Sequence, residues 1–264
     1  MEHQLAWDSP SAVELQEGMG LRFGEKGTHT SRTMMLAELT ELLAVVPREA
    51  SREEYASAII EENVLGKQTA SNRRLTSQRL GELYGLDPAL PIFRVLLRLW
   101  DAHEPGRPLL GLLCALARDP LLRATAPPVL ALRPGQELLR SSMTESIAAS
   151  TEGRLKSSVV DKVARNAGSS WTQSGHLEGR VRKLRRHVRP TPGVVAYALW
   201  LGSTQGLAGE DLLRSAWALT LDVGPSDLME LTLRAKQFGL VHARIGGGVT
   251  EIDPRGLDPA WERG

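Results

Sequence analysis

From residue 32 onward the hydrophobic positions recur at helical spacing, and Pro or Gly interrupts them every ten to twenty residues. In "RTMMLAELTELLAVV", Met35, Leu39, Leu42, Leu43 and Val46 share one side of a predicted helix that Pro47 ends. Ser51, followed by Glu53 and Glu54, opens "REEYASAIIEENVL", and Gly66 closes it. "ASNRRLTSQRLGELYG" gives a third helix ending at Gly85. "ALPIFRVLLRLWDAHE" and "RPLLGLLCALARDPLLRA" carry leucine on more than one face, which predicts helices buried on all sides. "TAPPVLALRPG" reads as a break, with another helix over "QELLRSSMTESIAAS". Only the C-terminus reads as β. After the helical runs "GVVAYALWLG" and "GEDLLRSAWALTLD" and a helix from about Ser226 to Phe238 closed by Gly239, "LVHARI" and "VTEI" are joined by Gly246, Gly247 and Gly248 as a hairpin. Three helices and a hairpin make a winged-helix layout. The expected fold class is mainly α, with many helices, helix-turn-helix and winged-helix-like modules, and a short C-terminal β-hairpin.

The segment that carries candidate chemistry lies before that hairpin module. "GRLKSSVVDKVARNAG" predicts a helix with Ser158 as N-cap, Val159, Val160, Val163, Ala164 and Ala167 as its apolar stripe, and Gly168 as its end. Ser170 and Gln173 form an S-x-x-Q capping box, so a second helix is expected from Trp171 to His187, in a helix-turn-helix plan. On it Leu177, Val181, Leu184 and Val188 would face a core, with Arg182, Arg185, Arg186 and Arg189 opposite. Gly175 and Gly179, four apart on the same side as the arginines, would let a phosphate strand come close. Thr172, Gln173 and His176 are then expected at base edges, and Arg180, Arg182, Lys183, Arg185, Arg186 and Arg189 on phosphates. A second basic patch, Lys67, Asn72, Arg73, Arg74 and Arg79, with Thr76 and Gln78 among them, repeats the pattern. For both patches a solvated charged face is the alternative.

Charge supports a polyanionic partner by its distribution rather than its total. The chain has 32 basic and 31 acidic side chains, yet residues 1–66 carry 5 basic and 12 acidic groups whereas residues 150–190 carry 10 and 3. Four segments are expected: a flexible acidic arm over 1–27, an N-terminal helical module with a basic helix over 28–104, a central helical module with the helix-turn-helix over 105–190, and a C-terminal winged-helix-like module over 191–264. Cys114, the single cysteine, reads as a buried apolar residue. With no apolar run near the ~20 residues of a membrane span and no signal peptide, the expected location is the cytoplasm. Phosphate-binding loops, nucleophile elbows and metal-ligand spacings are missing, so neither an enzyme nor a cofactor is expected.

"LGKQTASNRRLTSQRLGELYGL", "RPLLGLLCALARDPLLR" and above all "VARNAGSSWTQSGHLEGRVRK" resemble the BrxA family of bacterial phage-defence (BREX) systems, over roughly residues 30 to 253. The resemblance implies a small, mostly helical, non-enzymatic DNA-binding protein encoded beside a methyltransferase and other defence components, with a more distant likeness to the RNA-binding antiterminator NusB. The expectation is a double-stranded DNA binder driven largely by backbone contacts, with other phage-defence proteins as further partners and no membrane association. An RNA-binding protein and a protein–protein adaptor within the defence complex stand as alternatives.

Overall fold

The computed structural model describes residues 7, 13–102, 104–246, 249–258 and 260. Its helices are, in order, α1 (Val13–Gly18), α2 (Leu36–Val45), α3 (Arg52–Ile60), α4 (Ala70–Tyr84), α5 (Pro91–Ala102), α6 (Arg107–Arg118), α7 (Pro120–Arg123), α8 (Ala126–Leu130), α9 (Arg140–Ser150), α10 (Ser157–Gln173), α11 (Pro192–Thr204), α12 (Glu210–Leu213), α13 (Ala216–Leu219) and α14 (Pro225–Gln237). Strands β1 (Leu177–Glu178) and β2 (Leu184–Arg185) stand between α10 and α11, and β3 (His242–Gly246) and β4 (Val249–Asp253) follow α14. The protein is mainly α, with two short antiparallel strand pairs and a C-terminal hairpin, as expected. Among the described residues no helix is long and apolar enough to cross a membrane.

Local signals set many of the boundaries. Ser51 and Glu54 close a reciprocal capping box on α3, Ser51 Oγ accepting from Glu54 N at 3.2 Å and Glu54 Oε2 accepting from Ser51 N at 2.7 Å. Gly85 ends α4 with φ of 90°. α6 is buried from Leu109 to Arg118, Cys114 included, and packs with α4, α5 and α11. One contiguous apolar core runs from Trp7 to Leu257, so it crosses the expected module boundaries near 104 and 190. The described part of the arm is docked rather than loose. Trp7 meets Trp217 edge-on at 4.9 Å, Leu21 is buried, and Arg22 N donates to Ala117 O at 3.0 Å.

Two stretches depart from the expected pattern. The proline-containing break holds the short helix α8, its prolines sitting in the first turn where a missing N–H costs nothing. Residues 136–138, expected as helix, are extended: Leu138 N donates to Lys183 O and Arg185 N to Gln136 O, both at 2.8 Å, and Glu137 bridges Leu184. This segment therefore pairs with β2, which in turn pairs with β1. From α8 the chain runs helix, strand, helix α9, helix α10, strand, strand, with β2 central. That is the connectivity of a winged helix-turn-helix unit, with residues 179–183 as its wing. From α11 to β4, four helical segments, two of them single turns, and a hairpin form a second unit, in which α11 packs on α13 and α14. The turn residues 247 and 248 of the predicted glycine hairpin lie outside the described residues.

A buried carboxylate ties α10 to the rest. Asp119 Oδ1 caps α7 by accepting from Leu121 N and Leu122 N at 2.9 and 3.2 Å. Its Oδ2 takes His29 Nδ1 at 2.7 Å and His29 N at 3.1 Å, and His29 Nε2 lies 2.8 Å from Ser170 Oγ on α10. Burial pushes the Asp119 carboxyl up, but His29 and the capping amides outweigh it and hold it below its ordinary value. A depressed acid contributes stability that is present above the ordinary value near ~4 and lost as pH falls below it. Asp119→Asn is expected to cost about 3 kcal/mol at neutral pH and to flatten the acid limb below pH ~4 in urea titrations. An unchanged midpoint would show that the carboxylate holds nothing together.

Candidate nucleic-acid interface

The basic helix expected from Trp171 to His187 does not form. α10 instead runs through Gly168 and Ser170 and stops at Gln173. Ser170 is no cap: its hydroxyl accepts from Met34 N at 2.8 Å, donates to Asn166 O at 3.0 Å and meets His29, so tertiary partners hold it inside the helix. Gly168 is helical, and Lys183 lies over it, its Cδ and Cε 3.3 Å from where a Cβ would sit. Gly175 and Gly179 have φ of 88° and 101°, and they turn the chain instead of notching a helix. A Cβ on Gly179 would collide with the Arg182 carbonyl oxygen.

Three residues expected at DNA are consumed inside the protein. His176 is fully buried, with Nδ1 2.9 Å from Ser174 Oγ, Nε2 2.8 Å from Thr220 O, and its ring edge-on to Trp171 at 4.9 Å. Gln173 accepts from Leu36 N at 3.2 Å and donates to Thr33 Oγ1 at 3.1 Å. Arg185 is 1% exposed and paired with Asp222 at 3.0 Å. Thr172 is half-buried and accepts from Lys183 Nζ at 2.8 Å. The remainder stay at the surface. Arg182 and Arg186 are exposed and hold Glu137 and Glu178 at 2.8 and 2.7 Å; Arg180 and Arg189 are exposed as well. Surface pairs of this kind contribute about 0 to 1 kcal/mol, so a phosphate can replace the carboxylate at little cost.

The α4 patch is mostly internal. Arg73 donates to Ile60 O at 2.8 Å, Arg79 pairs with Glu82 at 2.7 Å, Lys67 with Glu38 at 3.2 Å, and Asn72 accepts from Arg32 at 3.2 Å. Thr76 is buried, and Gln78 donates to Glu82 at 3.0 Å. Arg74 alone of the expected contacts there points to solvent. These side chains fasten α2, α3 and α4 together rather than present a basic face.

What the fold does bring together is a stripe on α10 and the wing beside it. At 100° per residue, Ser158, Asp161, Lys162, Arg165, Ser169 and Thr172 fall within an arc of about 120°, opposite buried Val160, Val163, Ala164, Ala167 and Trp171. Lys162 and Arg165 are exposed, while Asp161 is neutralised by Arg140 at 2.8 Å. Lys183 crosses the C-terminal end of the stripe to reach Thr172, and the wing tip, Arg180, Val181 and Arg182, projects beyond it with Val181 91% exposed. At the other end, Lys156 stands at the N-cap with no side-chain cap, leaving first-turn amides open. Lys156, Lys162 and Arg165 were not among the expected contacts, although their position opposite the valine stripe is readable from spacing alone.

Burial lowers His176 from its ordinary 6.5 to about 4, so it stays neutral in the folded chain. The unfolded chain binds this proton first, so stability is full above pH ~6.5 and falls as pH drops toward ~4, by on the order of 3 kcal/mol over the window. Thermal melts should show that slope in the wild type and lose it in His176→Gln. A flat wild-type profile between those limits would place His176 in contact with water. Among the described residues no group of three His, Cys, Asp or Glu side chains is placed to hold a metal ion. No protein-family model matches this chain, and no curated protein matches it.

Proposed function

We propose that the chain is a non-enzymatic, double-stranded DNA-binding component of a bacteriophage-defence system of the BREX type, and that it grips DNA mainly by the phosphate backbone. The observation that carries this reading is the joint placement of Lys162 and Arg165 on the solvent stripe of α10 with Arg180, Arg182 and Lys183 on the adjoining wing. A helix of 17 residues is about 25 Å long, enough to lie in a major groove while the wing meets the flanking backbone. Open first-turn amides beside Lys156 add a phosphate contact of the kind helix N-termini make. Ser158 and Ser169 are the polar side chains of the stripe that face base edges in this pose.

Two features weigh between DNA and its rivals. Trp171, the aromatic residue of the basic run, is fully buried with Nε1 donating to Thr125 Oγ1 at 2.8 Å, so it offers no platform for stacking single-stranded RNA. The C-terminal unit has a different surface. The exposed residues of α14 include Asp227 and Glu230 balanced by Arg234 and Lys236, with Arg234 held by Glu230 at 2.7 Å, and Leu219 and Leu233 are exposed nearby in the sequence. This face has no excess of cations, which favours the central unit as the DNA-binding part and suits the C-terminal face to the protein–protein role of an adaptor.

Gel-shift titration of a duplex over a salt series tests the reading. Five cations on phosphates predict a log–log slope of about −4.5. Lys162→Ala, Arg165→Ala and Arg180→Ala together should weaken binding to all sequences and make the slope less negative by about 3, with unfolding unchanged. Binding that ignores salt, or a triple variant that binds as tightly as wild type, overturns the assignment.

A further inference from the structure

We infer that Asp222, in the turn between α13 and α14 of the C-terminal unit, is a positioning residue for the wing of the central unit, so that the grip on duplex DNA depends on a contact between the two units. The inference rests on the DNA reading above for its consequence, though not for its geometry. One carboxylate holds two side chains of the wing stem: Oδ1 lies 3.0 Å from Arg185 Nη2 and Oδ2 2.9 Å from His187 Nδ1. A separate bond between His176 and Thr220 O, at 2.8 Å, fixes the same two stretches against each other.

Arg185 is what makes the contact matter. It sits in the central strand β2 at 1% exposure, its Nη1 donates to the backbone carbonyls of Arg186 and His176, and its Nε has no hydrogen-bond acceptor. Carbonyl oxygens carry no net charge, so Asp222 supplies the counter-charge that lets a guanidinium remain out of water. Without that charge, β2 must open to hydrate Arg185. Arg182 and Lys183 directly precede β2 in the chain, so the wing moves with it. The cations of α10 do not, because α10 is held separately by His29 and Asn166, which donates to His29 O at 2.8 Å. Loss of the Asp222 charge should therefore cost the wing contacts and spare those of α10.

Asp222 has φ of 59°, a left-handed conformation that Asn adopts as readily as Asp, so Asp222→Asn removes the charge without straining the turn. We expect this variant to weaken duplex binding about tenfold and to make the salt slope less negative by about 2. Its loss should not add to that of Arg180→Ala with Arg182→Ala, yet should add to that of Lys162→Ala with Arg165→Ala. A merely destabilised fold would lower both sets alike. Full additivity with the wing variant, or wild-type affinity, overturns the inference. Hydrogen exchange without DNA gives an independent readout: amides of 177–186 should exchange faster in Asp222→Asn while those of α10 do not, and equal protection refutes the positioning role. A wild-type chain that fails to bind duplex while showing this exchange pattern would sink the DNA reading alone. Should Asp222→Asn not fold, His187→Ala, at the exposed side of the same carboxylate, is expected to give a smaller loss of the same non-additive kind, and its absence counts against the proposal.

Discussion

The carboxylate of Asp119 is the constraint on which the arrangement of this molecule depends. It is buried, and a buried charge persists only where enough donors surround it. The donors come from two places, the first turn of α7 and the backbone and ring of His29, and the far nitrogen of that ring meets the hydroxyl of Ser170 on α10. One group thus fixes the segment entering α2, the α6–α7 junction and the last turn of α10. The order Ser, His, Asp is that of hydrolytic triads, but the chemistry of a nucleophile is missing. Ser170 Oγ is fully buried, already accepts a backbone N–H and already donates to a carbonyl within its own helix. Its bonds tie the C-terminal part of α10 to Met34 and His29.

Because α10 is held in that way, the basic residues divide into two populations by their acceptors. Arg118, Arg123 and Arg73 give their protons to backbone carbonyls: Arg118 to Glu82 O at 3.0 Å, Arg123 to Leu116 O at 3.0 Å, and Arg73 to Ile60 O. Burial lowers Arg118 to about 10, which still leaves it charged, and it serves the carbonyl end of α4. Arg185 belongs with them. None of these is offered to a ligand, although a count along the sequence treats them as equal to Lys162 or Arg180. The net charge of 150–190 was therefore a sound pointer to a basic surface and a poor guide to its members.

The helical core was legible from periodicity because apolar spacing alone decides it: α2 ends at the Pro47 signal, α3 opens at its capping box, and α6 is apolar all round. The wing was not legible, and Val181, Ser170 and Gln173 explain why. Leu177, Val181, Leu184 and Val188 recur at helical spacing, yet Val181 is the most exposed of them and sits in a turn, so periodicity without tertiary context assigned it to a core. Ser170 and Gln173 satisfy the letter of a capping box, but their side chains bond Met34, Leu36 and Thr33, distant in sequence. Such partners outweigh a local signal worth about 1 kcal/mol. Gly175 and Gly179 gave the contrary hint: two glycines in one predicted helix cost about 2 kcal/mol, and positive φ removes that cost.

The same reasoning separates the two winged units, which share helices and a hairpin but not a surface. In the central unit the carboxylates near the stripe, Asp161 and Glu137, are each matched by an arginine, so the cations of α10 and the wing remain in excess. In the C-terminal unit the exposed acids Asp227 and Glu230 of α14 are balanced by Arg234, which pairs with Glu230, and Lys236, so no excess of cations remains on that helix. Fold similarity between the units thus says little about a shared ligand. Besides the shared apolar core and the His176–Thr220 bond, they meet at the Asp222 turn, where an acid of the second unit neutralises an arginine of the first. That acid is mostly covered and spends both oxygens on Arg185 and His187 of the wing stem, so in the proposed pose it braces the wing rather than meeting the phosphate strand.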